Sequence, residues 1–297
     1  MIQIIQILIA VAMTVFAVIA FRDVIRSRDI MKRESGSMPV YCLTSVLAMF
    51  FGTFGVSDTA ISVFLYKTTK SVDDRRMPGT IISASILPVG TMALAFLSTL
   101  EVDPLTLLIC VAAQSVGAIL GVKLIVRLDE HWIRMIMGIA LIGTAALIVF
   151  KLFFFGLSGG EQMGLHSWYL AAAMGCFFVF GGLNMIGMGA TVPNMAVLLL
   201  LGMSIKAIYP IVMTGNIMSC FFGAYKFVRE GAYTRKAIPA SLAGVLAVLA
   251  AVHFLKAMDV SILQIGMIAL LLYCAVTMLR EEYVSKRGIQ EGISQKI

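Results

Sequence analysis

VYCLTSVLAMFFGTFGVSDTAISVFLY, residues 40–66, is apolar at both ends and interrupted in the middle by Gly52-Thr53-Phe54-Gly55-Val56-Ser57-Asp58-Thr59. A second stretch of this kind, WYLAAAMGCFFVFGGLNMIGMGATVPNMAVLLLL, residues 168–201, is interrupted from Gly181 to Asn194. Each stretch reads in two ways: one bent crossing of a membrane, or a hairpin that dips in and returns to the side it came from.

That a membrane is involved follows from the rest of the chain. Its 297 residues are 60% hydrophobic and only 13% charged. Soluble domains average about 45–50% apolar and about 25% charged, so this chain lacks the polar surface to coat a water-soluble globule. Residues 4–21, 81–100, 105–126, 133–155, 208–227, 238–255 and 262–279 form apolar runs with no charge near the middle. Each approaches the ~20 residues needed to span a hydrocarbon core. Backbone groups in lipid must be satisfied within the segment, so the runs are expected to be helices. The first run lacks a basic leader and a small-residue cleavage site, and it reads as a retained helix.

The Lys and Arg residues choose between the two readings. If both interrupted stretches are hairpins and the N-terminus lies outside, segments 22–39, 67–78, 123–134, 226–236 and 280–297 are cytoplasmic. They then carry 20 of the 23 Lys and Arg, leaving Lys151, Lys206 and Lys256 outside. If both stretches cross, the split is 14 to 9. Cytoplasmic loops concentrate Lys and Arg, so the hairpin arrangement is expected, with seven full crossings and a cytoplasmic C-terminus. The net charge of +7 is thereby spent on topology, and no nucleic-acid partner is expected.

Both interrupted stretches open a similar series of helices and turns. Residues 116–125 with Leu128-Asp129 resemble residues 246–255 with Met258-Asp259, and Met77-Pro78 has a counterpart in Tyr209-Pro210. A period of about 125–130 residues marks a duplicated unit. Three crossings per unit turn the second copy upside down, an arrangement in which transporters place substrate between the copies near the midplane. The expected fold is all-α: residues 1–39 an N-terminal helix and basic loop, 40–155 the first repeat, 156–167 an outer linker, 168–280 the second, inverted repeat, and 281–297 a cytoplasmic tail.

The breaks carry the chemistry. Ser57, Asp58 and Thr59 are candidate caps for a helix leaving the first break, and Thr191 stands two residues before Pro193 at the second. Two half-helix N-termini converging inside the membrane make an anion site from backbone N–H groups without a Lys or Arg. Gly52, Gly55, Gly187 and Gly189 allow close backbone approach, and Ser83, Ser85, Asn184, Asn194, Thr214 and Asn216 complete the candidate shell. Ser83/Ser85 and Thr214/Asn216 recur at matching places in the two halves. Gln114 and Ser219 read as interhelical hydrogen-bonding glue. Asp58 is the one carboxylate inside a break, and an intramembrane carboxylate is a functional hypothesis by default; it either carries a coupling H⁺ or Na⁺ or caps the second half-helix. The five cysteines and three histidines show no metal-ligand spacing, and no metal or cofactor is expected.

Phe50-Phe51-Gly52-Thr53-Phe54-Gly55, the basic loop, Glu101-Val102-Asp103-Pro104, and residues 116–124 with Leu128-Asp129 resemble one repeat of the TauE/SafE sulfite exporter family. Residues 175–280, with Gly187-Met188-Gly189-Ala190 and Pro193, resemble the other. The likeness spans residues 40–280 and implies a carrier of small anions such as sulfite or organosulfonates. The family's glycine triplet is altered here, to Gly-Val-Ser-Asp and Gly-Ala-Thr.

The expectation is a secondary transporter, an exporter, in the cell membrane, with lipid and a small anion as its partners. An anion channel and a carrier of an unrelated small carboxylate are the alternatives, and homo-oligomer formation is left open. No Gly-x-x-x-x-Gly-Lys-Ser/Thr loop supplies an ATP site, and no paired acid, nucleophile–base pair or His-Glu-x-x-His cluster points to an enzyme. The hairpin arrangement predicts that an impermeant amine label reaches Lys70 only from the cytoplasmic side; labelling solely from the outer side overturns it.

Overall fold

The computed structural model describes residues 2–54, 58–98, 101–125, 160–185 and 189–257. The expected crossings at 133–155 and 262–279 and the tail at 281–297 lie outside these residues. Ten α-helices are described: α1 Ile2–Arg26, α2 Arg28–Arg33, α3 Met38–Thr53, α4 Asp58–Thr68, α5 Met77–Leu97, α6 Pro104–Ile125, α7 Ser167–Asn184, α8 Thr191–Leu200, α9 Ile205–Glu230 and α10 Ala237–Ala257. Among the described residues the chain is all-helical. Six helices, α1, α5, α6, α7, α9 and α10, are long and apolar enough to cross a membrane, whereas α3 and α8 are shorter.

Helices start where the sequence supplies a start. Asp103 accepts hydrogen bonds from the Thr106 N–H (2.8 Å) and hydroxyl (2.6 Å), which caps α6 with Pro104 as its first residue. Pro78 sits in the first turn of α5. Pro210, by contrast, falls inside α9 rather than at its start, because that helix begins at Ile205 after Ser204; its ring removes one backbone bond near the end, where the helix has least to lose.

The bundle is arranged inside out. α5 and α9 are the central pair and are buried along most of their length. The outer helices present apolar side chains outward: Ile4, Leu8, Val11, Val15 and Val18 on α1, Leu242, Leu246 and Leu249 on α10. An apolar exterior around a more polar interior suits lipid as solvent. The protein is a multi-pass membrane protein.

The two interrupted stretches both double back. At the base of the first, Tyr41 and Tyr66 rings lie 5.5 Å apart, Tyr41 OH donates to the Ser71 carbonyl at 2.7 Å, and Ser35 Oγ donates to the same carbonyl at 2.9 Å. The chain entering α3 therefore meets the chain leaving α4. At the base of the second, Ser204 N–H donates to the Gln162 carbonyl at 2.8 Å and Gln162 N–H to the Gly202 carbonyl at 3.4 Å. The chain entering α7 meets the chain leaving α8. The 18-residue α7 is long and apolar enough for a crossing, and α8 packs against it.

These bases lie on opposite faces. The first joins the loop between α9 and α10, where Thr234 N–H donates to Thr80 Oγ1 (2.9 Å) and Arg235 and Lys236 N–H donate to Glu34 (3.0 and 3.2 Å). The second joins the turn between α5 and α6, where Leu165 N–H donates to Thr106 Oγ1 (2.9 Å). Arg22, Arg26, Arg28, Lys32 and Arg33, the basic loop around Lys70 and Arg76, and Lys226 to Lys236 all gather at the first face.

Helix packing follows an exchange rule between the halves. α3 packs on α10 and α7 packs on α6; α5 packs on α10 and α9 on α6; α5 and α9 pack on each other. Swapping α3 for α7, α4 for α8, α5 for α9 and α6 for α10 leaves this set of contacts unchanged. α1 packs on α5, α9 and α10. The tightest crossing, α6 on α7, rests on Gly117 against Phe178 and Gly121 against Gly182, where a side chain would strike backbone, as small-residue helix interfaces in lipid require.

A charge cluster closes the basic face. Arg235 Nε lies 2.9 Å from Asp23 Oδ2, without hydrogen-bond geometry, and a second guanidinium nitrogen lies 3.7 Å from Glu34. Tyr233 OH donates to Asp23 at 2.6 Å, and its burial, with that carboxylate, pushes the phenol above its ordinary range. Removing one member of a buried ion pair strands its partners and costs about 3–5 kcal/mol. Arg235→Met is expected to lower the melting temperature of the detergent-purified protein clearly, and Arg235→Lys by less; equal melting of all three proteins contradicts this role.

Candidate functional site

The first hairpin tip, the second hairpin tip and the α5/α9 pair converge on one internal cavity. Asp58 and Thr59 line it from the start of α4, Ile81, Ile82, Ser85 and Val89 from α5, Asn184 from the end of α7, Gly189 and Thr191 from the second tip, and Asn216 and Cys220 from α9. Its volume is about 20 Å³, room for roughly one water molecule. Among the described residues no Lys, Arg or His lines it.

The first tip is packed by a glycine. A methyl group on Gly52 would sit 3.1 Å from the Asp58 Cβ, so the bare backbone at the end of α3 lets Asp58 lie against it. Gly52 thus shapes the site from behind and is not part of the cavity wall. The carbonyl of Phe54, left over as α3 ends, accepts the Tyr209 hydroxyl of α9 at 3.3 Å.

At the second tip Gly189 holds φ +78°, a left-handed backbone that favours glycine, and this turn aims α8 back along α7. The expected cap there is corrected. α8 begins at Thr191, Ala190 occupies the N-cap position, and no side chain of Ala190 can cap. Asn184 instead fixes the turn ahead of the helix: its Oδ1 accepts the N–H of Ala190 itself at 3.1 Å, which turns its Nδ2 toward Cys220 Sγ at 3.5 Å. Pro193 has no N–H to strand, and the first-turn N–H groups of Thr191 and Val192 have no acceptor within the helix.

Thr191, freed from capping, joins a chain of side chains. Asn194 Nδ2 donates to Gln114 Oε1 (3.1 Å), Gln114 Nε2 donates to Asn216 Oδ1 (2.8 Å) and Ser219 Oγ (3.3 Å), and Asn216 Nδ2 donates to Thr191 Oγ1 (2.8 Å). Gln114 comes from the first half, and all its partners come from the second.

The structure brings Asp58, Thr59, Ser85, Asn184, Gly189, Thr191 and Asn216 together in one wall. Asn194 stands one layer behind it. Ser83 and Thr214, at matched places on α5 and α9, are almost fully buried, and neither hydroxyl finds a partner. Gly55, Ser57 and Gly187 lie outside the described residues. Sequence reading missed Cys220, Ile81, Ile82 and Val89 as lining residues; it read Gln114 as interhelical hydrogen-bonding glue, and Gln114 does bond across to α8 and α9, where its partner Asn216 lines the cavity. The spacing of polar residues held no signal for the first group. Room for Gln114 comes from Gly181 and Gly215, whose side chains would collide with it, and this shows only in the structure.

A buried hydroxyl without a partner costs about 1–3 kcal/mol, so removing it should relieve the resting protein. Ser83→Ala and Thr214→Val are expected to melt no lower than wild type. If the hydroxyls are kept for a ligand or a second conformation, both variants nevertheless transport more slowly; unimpaired transport removes both residues from the site.

Residues 2–148 match the family model for the sulfite exporter TauE/SafE. The match takes in α1, which the sequence reading had set apart from the repeat, in keeping with the packing of α1 on α5, α9 and α10. Residues beyond 148 lie outside it. No curated protein and no solved structure matches the chain.

Proposed function

We propose, for a chain that through residues 2–148 belongs to the sulfite exporter TauE/SafE family, that the cavity between the hairpin tips is the binding site of a secondary transporter for sulfite, an organosulfonate or a related small sulfur anion. The family is one of membrane transporters, not enzymes. The observation that carries the reading is the cavity's lining: amides, hydroxyls and a half-helix N-terminus, drawn from both halves of the chain around the Asp58 carboxyl, with no cation among the described residues. Asn184 gives its oxygen to the Ala190 N–H, so its N–H₂ end is turned to the cavity-lining Cys220 Sγ at 3.5 Å. Hydrogen-bond donors around a small cavity in a low-dielectric interior suit an anion.

The transport cycle follows from the proposed inverted repeat, 40–155 against 168–280. The first hairpin enters from the basic face and the second from the opposite face, and the exchange rule in helix packing supports an axis running between α5 and α9. With the Lys- and Arg-rich face assigned to the cytoplasm, the N-terminus is outside, and the hairpins are the re-entrant elements that expose the cavity to one side at a time. A cavity of about 20 Å³ favours a carrier that must rearrange over an open anion channel. Export is the direction the family suggests. Asp58, beside the anion position, is assigned to the coupling ion, H⁺ or Na⁺.

The test is sulfite flux into proteoliposomes of the full-length protein, with organosulfonates and small carboxylates as competitors. Saturable flux, inhibited by sulfonates more than by carboxylates, is expected; linear flux points to a pore, and carboxylate preference to a different substrate. Asp58→Asn is expected to lose the ion dependence of flux. Unchanged flux with unchanged ion dependence excludes coupling through Asp58 and leaves it as a helix cap.

A further inference from the structure

The hydrogen bonds around Gln114 have a direction, and that direction is forced. Ser219 Oγ donates to the Asn216 carbonyl at 3.0 Å, so toward Gln114 at 3.3 Å it can only accept. The amide end of Gln114 that faces Ser219 is therefore its N–H₂ end. The same N–H₂ group faces Asn216, which must present Oδ1 to it, and this turns Asn216 Nδ2 onto Thr191 Oγ1. Thr191, accepting from Asn216, keeps its own proton to give. It lines the cavity.

At the far end, Gln114 Oε1 accepts from Asn194 Nδ2, and Asn194 Oδ1 is left buried with no partner. Reversing every amide would instead strand an N–H₂ group at Asn194 and turn the Thr191 proton away from the cavity. Stranded acceptors are tolerated better than stranded donors. The chain thus runs one way, from an orphan acceptor deep in the bundle to a free donor at the cavity. Space for the hub is built in: Cβ atoms on Gly215 or Gly181 would collide with Gln114 Oε1 and the Gln114 carbonyl.

We propose that Gln114 is a positioning residue that sets the polarity of this relay, so that Thr191 offers its hydroxyl proton to the transported anion. The inference rests on the anion-site reading above and names how the first half of the chain controls the donor set of the second. Gln114 does not touch the anion; it acts through Asn216 and Thr191.

The experiment measures sulfite and methanesulfonate uptake by full-length protein in proteoliposomes, with melting temperature recorded for each variant. Gln114→Met keeps length and loses both hydrogen-bonding ends. It is expected to raise KM by about tenfold or more, the worth of one hydrogen bond to a charged group, with a smaller effect on kcat. Thr191→Val is expected to match it, Thr191→Ser to restore most of the affinity, and Gln114→Met with Thr191→Val to cost no more than either alone. Gln114→Glu supplies a donor only when protonated. Its uptake, as a ratio to wild type at the same pH, is expected to be near one in acid and to fall as the carboxyl ionises. Among the described residues, α7, α8 and α9 place only neutral partners on residue 114; Asp58 and Cys220, at the cavity, are common to both proteins and cancel in the ratio.

A Gln114→Met protein with wild-type KM, or a Gln114→Glu ratio that does not change with pH, overturns the relay while leaving the anion site standing. Wild-type protein that takes up neither probe overturns the anion site and the relay together. If Gln114→Met does not fold, the Gln114→Glu ratio and the Thr191 pair decide.

Discussion

A helix that stops inside a hydrocarbon layer leaves its terminal N–H and C=O groups without water to bond, and on the re-entrant reading proposed here this chain makes two such stops. Their repair organises the molecule. The carbonyl at the end of α3 is met by Tyr209, and the amide at the start of α8 is met by Asn184. Each repair draws a polar side chain to mid-depth from a neighbouring helix. The polar residues of α5 and α9 follow inward, and the outer helices are left to face lipid. The site is polar because the stops must be repaired, and its particular shape comes from where the repairing side chains can be rooted.

The same constraint ties the halves together. In lipid there is little hydrophobic gain in bringing two apolar helices together, so close backbone approach and interhelical hydrogen bonds must supply the adhesion. Here those contacts run largely between the halves: α3 on α10, α6 on α7, α5 on α9. Gln114 makes its side-chain bonds only to residues of the second half. Neither half has a self-contained interior. A movement of one hairpin is felt by the other half through the helix on which that hairpin rests.

Much of this was legible because the deciding signals are local. Glycines and polar residues inside an otherwise apolar run, as at Gly52–Asp58, announce a break, and the distribution of Lys and Arg says that the chain turns back. In the structure the segments flanking each stretch meet, at Tyr41–Tyr66 and at Gln162–Met203; which side of a membrane they face is part of the proposal. What escaped was relational. Thr191 looks like a cap because it precedes Pro193, yet α8 begins at Thr191 itself with Ala190 at the N-cap, and the Thr191 hydroxyl accepts from Asn216. Gln114 is one glutamine in an apolar helix, and its partners lie 80–105 residues downstream on two elements. The glycines that make room for it read as ordinary packing glycines until the helices are crossed. Ile81, Ile82, Val89 and Cys220 obey helical periodicity as core residues, and no pattern separates a core wall from a cavity wall.

The proposed anion site, with no cation among the described residues that line it, has a consequence for coupling. A Lys or Arg at mid-depth is costly in the membrane and would hold a small anion firmly on both sides of the cycle. Oriented amides and hydroxyls avoid that. Their dipoles are strengthened by the low dielectric, yet the complex stays weak enough to release its cargo. The charge balance then falls on Asp58. Two like charges 4 Å apart repel by roughly 4 kcal/mol even at an effective dielectric constant of 20, close to a thousandfold in affinity. On the reading proposed here, the anion and an ionised Asp58 share the cavity only if H⁺ or Na⁺ enters with the anion. Coupling would then follow from the placement of one carboxylate in a wall of donors.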